Sequence, residues 1–151
     1  RVMPNTATLI GLGMAAMSIG ANVSDEQAKF VADFLATCGK VISIDESLQD
    51  AVTAVSGSGP AYFFAFVEEM IKSGISLGLS SDEASTLAIQ TIIGSAAMLE
   101  QSGKNPTTLR ENVTSPNGTT AAALKVFNDA EFGEIIKKAM TAARDRSQEL
   151  A

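Results

Sequence analysis

Histidine is absent from this chain of 151 residues. Its absence removes serine–histidine and cysteine–histidine nucleophile pairs, histidine-ligated metals and a histidine proton shuttle together. Cysteine is nearly absent: Cys38 stands alone, which excludes an internal disulfide and a multi-cysteine zinc site. Positive charge is also scarce, with 11 Lys and Arg against 17 Asp and Glu and a net charge of -6. A phosphate backbone needs clustered cations, and the densest group here (Lys137, Lys138, Arg144, Arg146) is interleaved with acids. Nucleic acid is therefore not an expected partner, and no metal is expected. No signal-peptide pattern and no long uncharged apolar run occur, so a cytoplasmic chain without a membrane partner is expected. Neither the G-x-G-x-x-G dinucleotide fingerprint nor a Walker lysine after a glycine loop is found. Chemistry here must use carboxylates, hydroxyls, backbone donors or a bound cofactor.

What remains is apolar: hydrophobic residues make up 46% of the chain, a composition that suits an ordered fold. Arg1-Val2-Met3-Pro4 reads as the exit of a strand, and the chain is expected to begin inside a longer protein. Residues 14–21 are small and apolar between glycines and read as a short buried strand. Ser24 is an N-cap with Asp25 and Glu26 in the first turn, Phe30, Val31, Phe34 and Leu35 follow at helical spacing, and Gly39 is the stop. Val41-Ile42-Ser43-Ile44 reads as a second strand. Strand, helix and strand suggest the trailing edge of an α/β domain, assigned to residues 1–46.

From residue 47 onward the pattern is helical. A helix over 48–55 is expected to stop at Ser56-Gly57-Ser58-Gly59, with Pro60 opening a long helix. That helix carries Tyr62, Phe63, Phe64, Phe66, Val67, Met70 and Ile71 nearly all the way round, wider than one amphipathic face. Part of its cover is expected from a second subunit. Ser80 and Glu83 form a capping box before a helix that ends near Gly103. A short helix follows Pro106, another opens at Thr119 or Thr120, and a last one follows Asp129. Residues 47–151 are assigned to one all-helical domain.

The loop Asn112-Val113-Thr114-Ser115-Pro116-Asn117-Gly118-Thr119-Thr120 is the place for chemistry. It is rich in hydroxyls and ends at a helix N-terminus, where free N–H groups and the helix dipole suit a carboxylate or phosphate. Gly118 is read as the residue that permits the turn, with Asn117 tolerating the left-handed region. By residue type alone, capping and turning explain these residues better than ligand binding. The same holds for the Ser56-Gly57-Ser58-Gly59-Pro60 corner. Asp45, Glu46 and Asp50 form a small acidic cluster, usually a solvated helix start.

Three stretches in order resemble the pyrroline-5-carboxylate reductase family: Arg1-Val2-Met3-Pro4-Asn5-Thr6, Asp50-Ala51-Val52-Thr53 running into Ser56-Gly57-Ser58-Gly59-Pro60-Ala61-Tyr62, and the stretch from Leu109 to Leu124. The resemblance implies a mainly α fold: a helical-bundle dimerisation domain, like the C-terminal domain of 6-phosphogluconate dehydrogenase, after the short end of a Rossmann domain. It implies reduction of 1-pyrroline-5-carboxylate to L-proline with NADPH or NADH, held mainly by a domain outside this chain. It further implies a homodimer of interlocked helices, and assembly of dimers into rings such as a decamer. Carried over by residue, Ser115, Gly118, Thr119 and Thr120 surround the substrate, with the N–H groups of residues 118–120 on its carboxylate. Thr120 is the catalytic position, its hydroxyl on the ring nitrogen; Asn112 faces the cofactor, and Glu46 contacts the substrate. Two positions depart from the family: Asn117 stands where Gly is common, and Ala7 where Pro is. Two competing readings are a helical domain of a related hydroxyacid or ketoacid dehydrogenase and a non-catalytic oligomerisation module. The former generally needs a catalytic lysine in a helix, for which no motif is present.

Overall fold

Each expected cap is a local hydrogen-bonding choice, and the caps set the frame of the chain. The computed structural model describes residues 1–150. These fall into two units: Arg1–Phe63 together with the chain from Ile136 onward, and Phe64–Ile135.

The first unit is built on a three-stranded sheet in the order β1-β2-β3: β1 (Val2–Met3), β2 (Gly13–Met17) and β3 (Gly39–Ser43). β1 runs antiparallel to β2, and β2 parallel to β3. A parallel pair needs a crossover, supplied by α1 (Asp25–Ala36). Its N-cap is Ser24 with a reciprocal bond from Gln27, and its first turn carries Asp25 and Glu26. The helix ends at Thr37, whose hydroxyl donates to the Phe34 carbonyl at 2.7 Å. The stop thus comes earlier than Gly39, which instead opens β3. The central strand carries the core: Ala15, Ala16 and Met17 are buried.

Two features of this unit were not anticipated. A 3-10 turn occupies Thr6–Ile10, held because Asn5 accepts from the Met14 N–H and its own carbonyl accepts from Thr8. Gln49 is completely buried, and its amide donates to the Ser18 hydroxyl at 2.7 Å. Its carbonyl oxygen has no partner among the described residues.

The helix expected over 48–55 is irregular. It begins as a 3-10 turn (Glu46–Leu48), continues as α2 (Gln49–Val52) and widens into a π turn (Thr53–Gly57) closed by Ser58 N–H on the Thr53 carbonyl. Thr53 and Ser56 hydroxyls donate to the Gln49 and Val52 carbonyls, and such back-bonding loosens a helix locally. The expected stop at 56–59 therefore shrinks to Ser58, and α3 (Gly59–Ser76) starts one residue before Pro60. Near the other end of the chain, the Ser147 hydroxyl donates to Asp50 at 2.7 Å.

The second unit is all helix. After the body of α3 come α4 (Ser81–Gln101), α5 (Pro106–Asn112) and α6 (Thr119–Asp129), then the start of α7 (Phe132–Glu149). α4 opens with the expected Ser80–Glu83 capping box. Gly74 lets α3 approach α4, since a β-carbon there would lie 3.2 Å from that of Ala84. Among the described residues of this unit, Ala84 and Ala88 alone are fully buried. Phe64, Leu87, Ile93, Val126 and Ile135 are all more than half exposed. Burying such a side chain contributes about 1.5–3 kcal/mol, so a surface of this kind is made to be covered.

Candidate functional site

The loop before α6 is shaped by its own residues. α5 is opened by Asn105, whose side chain accepts from Thr108, with Pro106 in the first turn. It is closed by Thr114: the hydroxyl donates to the Arg110 carbonyl at 2.6 Å and the N–H to Glu111 at 3.0 Å. Residues 115–118 then form a turn in which the Gly118 N–H donates to the Ser115 carbonyl at 3.0 Å. Pro116 presets the first central position, and Asn117 takes the second with φ +60°, the pattern of a type II turn.

The left-handed residue is therefore Asn117, and not Gly118, which is extended at φ −79°. Gly118 is small for another reason: a β-carbon on it would sit 3.1 Å from the Ser115 carbonyl oxygen. Glycine also gives α6 an N-cap without a side chain, and no side-chain cap bond is made there. Ser24, Ser80 and Asn105 each fill that role for α1, α4 and α5. The N–H groups of Thr119, Thr120 and Ala121 consequently have no acceptor among the described residues. These free donors sit one residue later than the sequence implied, because the Gly118 N–H is spent inside the turn. Together with the dipole of α6 they favour an anion.

Asn112, Ser115 and Thr119 are exposed, while Gly118 and Thr120 are half-buried. A groove of about 470 Å³ runs along α5 and α6, lined by Arg110, Glu111, Thr114, Ala121, Leu124, Lys125 and Asn128. It includes none of Ser115, Gly118, Thr119 or Thr120, and of the three residues with free N–H groups it includes Ala121. Ala121 is the donor that residue-type reasoning does not reach, since an alanine has no side-chain signal for it; Thr114 lies within the expected loop, and its role there is to close α5.

Glu46 belongs to the first unit. It is exposed at the start of the 3-10 turn, 3.8 Å from the Arg1 guanidinium. Its neighbour Asp45 caps that turn, and the Ser47 hydroxyl and N–H lower the Asp45 pKa. The Ser56-Gly57-Ser58-Gly59 corner is divided: Ser56 and Gly57 end the π turn, where a β-carbon on Gly57 would meet Met3 at 3.3 Å, and Gly59 opens α3. Among the described residues no group of three or more His, Cys, Asp or Glu side chains could hold a metal, and no helix is long and apolar enough to cross a membrane.

Helices that leave so much of their apolar surface exposed, following a βαβ edge, have the character of an association domain attached to an α/β segment. Comparison with known proteins gives the family: the model described as pyrroline-5-carboxylate reductase dimerisation matches residues 46–150. The chain belongs to the pyrroline-5-carboxylate reductase family.

Pyrroline-5-carboxylate reductases of Corynebacterium melassecola and Pseudomonas aeruginosa are 44% and 45% identical to it, over 99% and 100% of this chain and 56% of each relative. A solved pyrroline-5-carboxylate reductase from Coxiella burnetii superposes with a TM-score of 0.95 at 35% identity, covering all of this chain and 56% of that one. The Plasmodium falciparum pyrroline carboxylate reductase, solved with NADP bound, superposes at 0.92 with 36% identity over 98% of this chain and 61% of that one. The chain thus spans a little over half the length of the relatives it matches.

Proposed function

We propose that this chain works within an NAD(P)H-dependent reductase that converts 1-pyrroline-5-carboxylate to L-proline, and that it supplies the substrate-carboxylate loop and the dimer interface. The observation that carries this reading is the uncapped start of α6, with free N–H groups on Thr119, Thr120 and Ala121 directly after the tight 115–118 turn. A carboxylate there gains charge-assisted hydrogen bonds from donors already in place, so little ordering remains to be done on binding.

In this reading Ser115, Gly118 and Thr119 line the carboxylate end of the substrate. The Thr120 hydroxyl donates to the ring nitrogen and is the catalytic group of this chain. Asn112, at the exposed end of α5, faces the cofactor, and Glu46 contacts the substrate. The chain has no glycine fingerprint for a dinucleotide, so the cofactor's phosphates belong to residues outside it. When bound, the reduced nicotinamide supplies the hydride; the residues here fix the imine carbon in position and polarise its nitrogen. Positioning needs no nucleophile, which accords with a chain lacking histidine.

The exposed apolar faces of α3, α4 and α6 fit a homodimer of interlocked helices, with further assembly of dimers as far as a decamer. A lone cysteine suits a cytoplasmic setting. Domain limits at 1–46 and 47–151 accompany this reading. The test is turnover by the full-length protein with NADPH or NADH, offering 1-pyrroline-5-carboxylate against a 2-keto acid. Reduction of the keto acid alone would assign the chain to a different dehydrogenase.

A further inference from the structure

The Asn117-Gly118 pair sits within the turn that leads into α6, and it is chemically unlike the rest of the chain. Of the six asparagines, Asn117 alone is followed by glycine. An asparagine side chain is vulnerable when the next backbone nitrogen can reach its amide carbon unhindered by a following side chain. Asn22 and Asn112 are followed by β-branched valines, and Asn105 by a proline, which has no N–H. Asn5 is held by its bond from Met14, and Asn128 lies inside α6. Asn117 is exposed, and one turn hydrogen bond, Gly118 N–H to Ser115 at 3.0 Å, is what occupies the nitrogen. A single exposed bond of this kind opens readily by local fluctuation.

We propose that Asn117 is a modification site at which the side-chain amide is lost to the Gly118 backbone nitrogen, leaving a carboxylate beside the anion-binding start of α6. The Gly118 nitrogen gives up its proton and bonds to the Asn117 amide carbon. The carbon–nitrogen bond of the side-chain amide breaks, and ammonia leaves with that proton, so a cyclic imide remains. Water then opens the imide at either carbonyl. One product is aspartate; the other is isoaspartate, with an extra methylene in the backbone and the turn lost. No oxidant or reductant is needed.

The consequence rests on the reading of this loop as the substrate-carboxylate site. A carboxylate at position 117 is placed within reach of the same helix end, where it repels an incoming anion and competes for its donors. The loop would then lose substrate affinity with age, without unfolding.

The full-length enzyme should be held at mildly alkaline pH, which favours the deprotonated nitrogen, and sampled by peptide mapping with mass spectrometry. Amide loss is expected at Asn117 ahead of every other asparagine, with a several-fold rise in KM for 1-pyrroline-5-carboxylate and an unchanged KM for NADPH. Asn117→Gly should keep its activity through the same incubation, and fresh Asn117→Asp should show the raised KM at once. An intact Asn117 after another asparagine has reacted overturns the modification. Unchanged KM in Asn117→Asp overturns the consequence for binding. If Thr120→Ala is also unchanged, the fault lies in the substrate-loop reading; if Thr120→Ala is impaired, it lies in the charge argument alone.

Discussion

Gly13 and Gly39 face each other at the first rung of the parallel β2–β3 ladder, and a β-carbon on Gly39 would stand 2.0 Å from the Gly13 carbonyl oxygen. Gly39 also has φ +150°, a backbone that a side chain rarely adopts. The strand pairing of the first unit thus depends on two hydrogens where other residues have side chains. Gly39→Ala should lower stability by roughly 2 kcal/mol or more, since it adds a backbone clash to the conformational strain. Gly11→Ala, at φ +74° in open space, should cost only about 1 kcal/mol. Urea unfolding midpoints of the two variants in the full-length protein check the ranking.

Thr120→Ala in the full-length enzyme should reduce kcat/KM for 1-pyrroline-5-carboxylate by the equivalent of about 1–3 kcal/mol, the usual cost of a lost positioning hydrogen bond. Assembly should be untouched, because Thr120 sits in the first turn of α6, ahead of the exposed apolar Val126 and Phe127 that this helix adds to the interface. Steady-state kinetics with light scattering on the same sample separates the two effects. Wild-type kinetics would remove Thr120 from the mechanism.

Self-association follows from the second unit, whose fully buried residues among those described are two alanines. Light scattering of the full-length protein should give a dimer or a larger species down to low concentration. A stable folded monomer would contradict the reading of α3, α4 and α6 as interface helices.

The junction of α6 and α7 offers a gain. Glu131 is non-glycine at φ +54°, while its carbonyl accepts the N–H groups of Glu134 and Ile135. Replacement by glycine keeps those bonds and removes the strain. Glu131→Gly should stabilise by about 1 kcal/mol, visible as a higher thermal midpoint.

The Ser80–Glu83 box gives a pH signature. The Ser80 N–H and hydroxyl lower the Glu83 pKa below its ordinary 4.5. A depressed carboxylate contributes stability above its unfolded pKa and loses it as pH falls through the folded value. Thermal midpoints should therefore fall more steeply with acid, below about pH 4.5, in the native protein than in Glu83→Gln.

Caps and alternation are local, and they were legible: Ser24, Ser80, the β2-α1-β3 crossover and the sequence of later helices follow from residues within a few positions of each other. Non-local bonds were not. The 3-10 turn at Thr6–Ile10 depends on Asn5 reaching Met14, and the burial of Gln49 depends on Ser18 across the unit. The π turn arises from competition between two hydroxyls and the helix carbonyls, which spacing does not reveal. At the loop, glycine reads as the left-handed residue because it is the most permissive, whereas Pro116 and the Gly118 N–H bond to Ser115 make Asn117 the second central residue of the turn, and it takes the positive φ. The free donors of α6 were visible as a helix start, but only family resemblance gave that start a ligand.

The burial of only Ala84 and Ala88 within the second unit has a consequence for the order of its folding reaction. If a second copy provides the missing core, the folding of these helices is second order in chain concentration, and the unfolding midpoint rises with protein concentration. Dilution then acts on this unit much as a denaturant acts on a monomer.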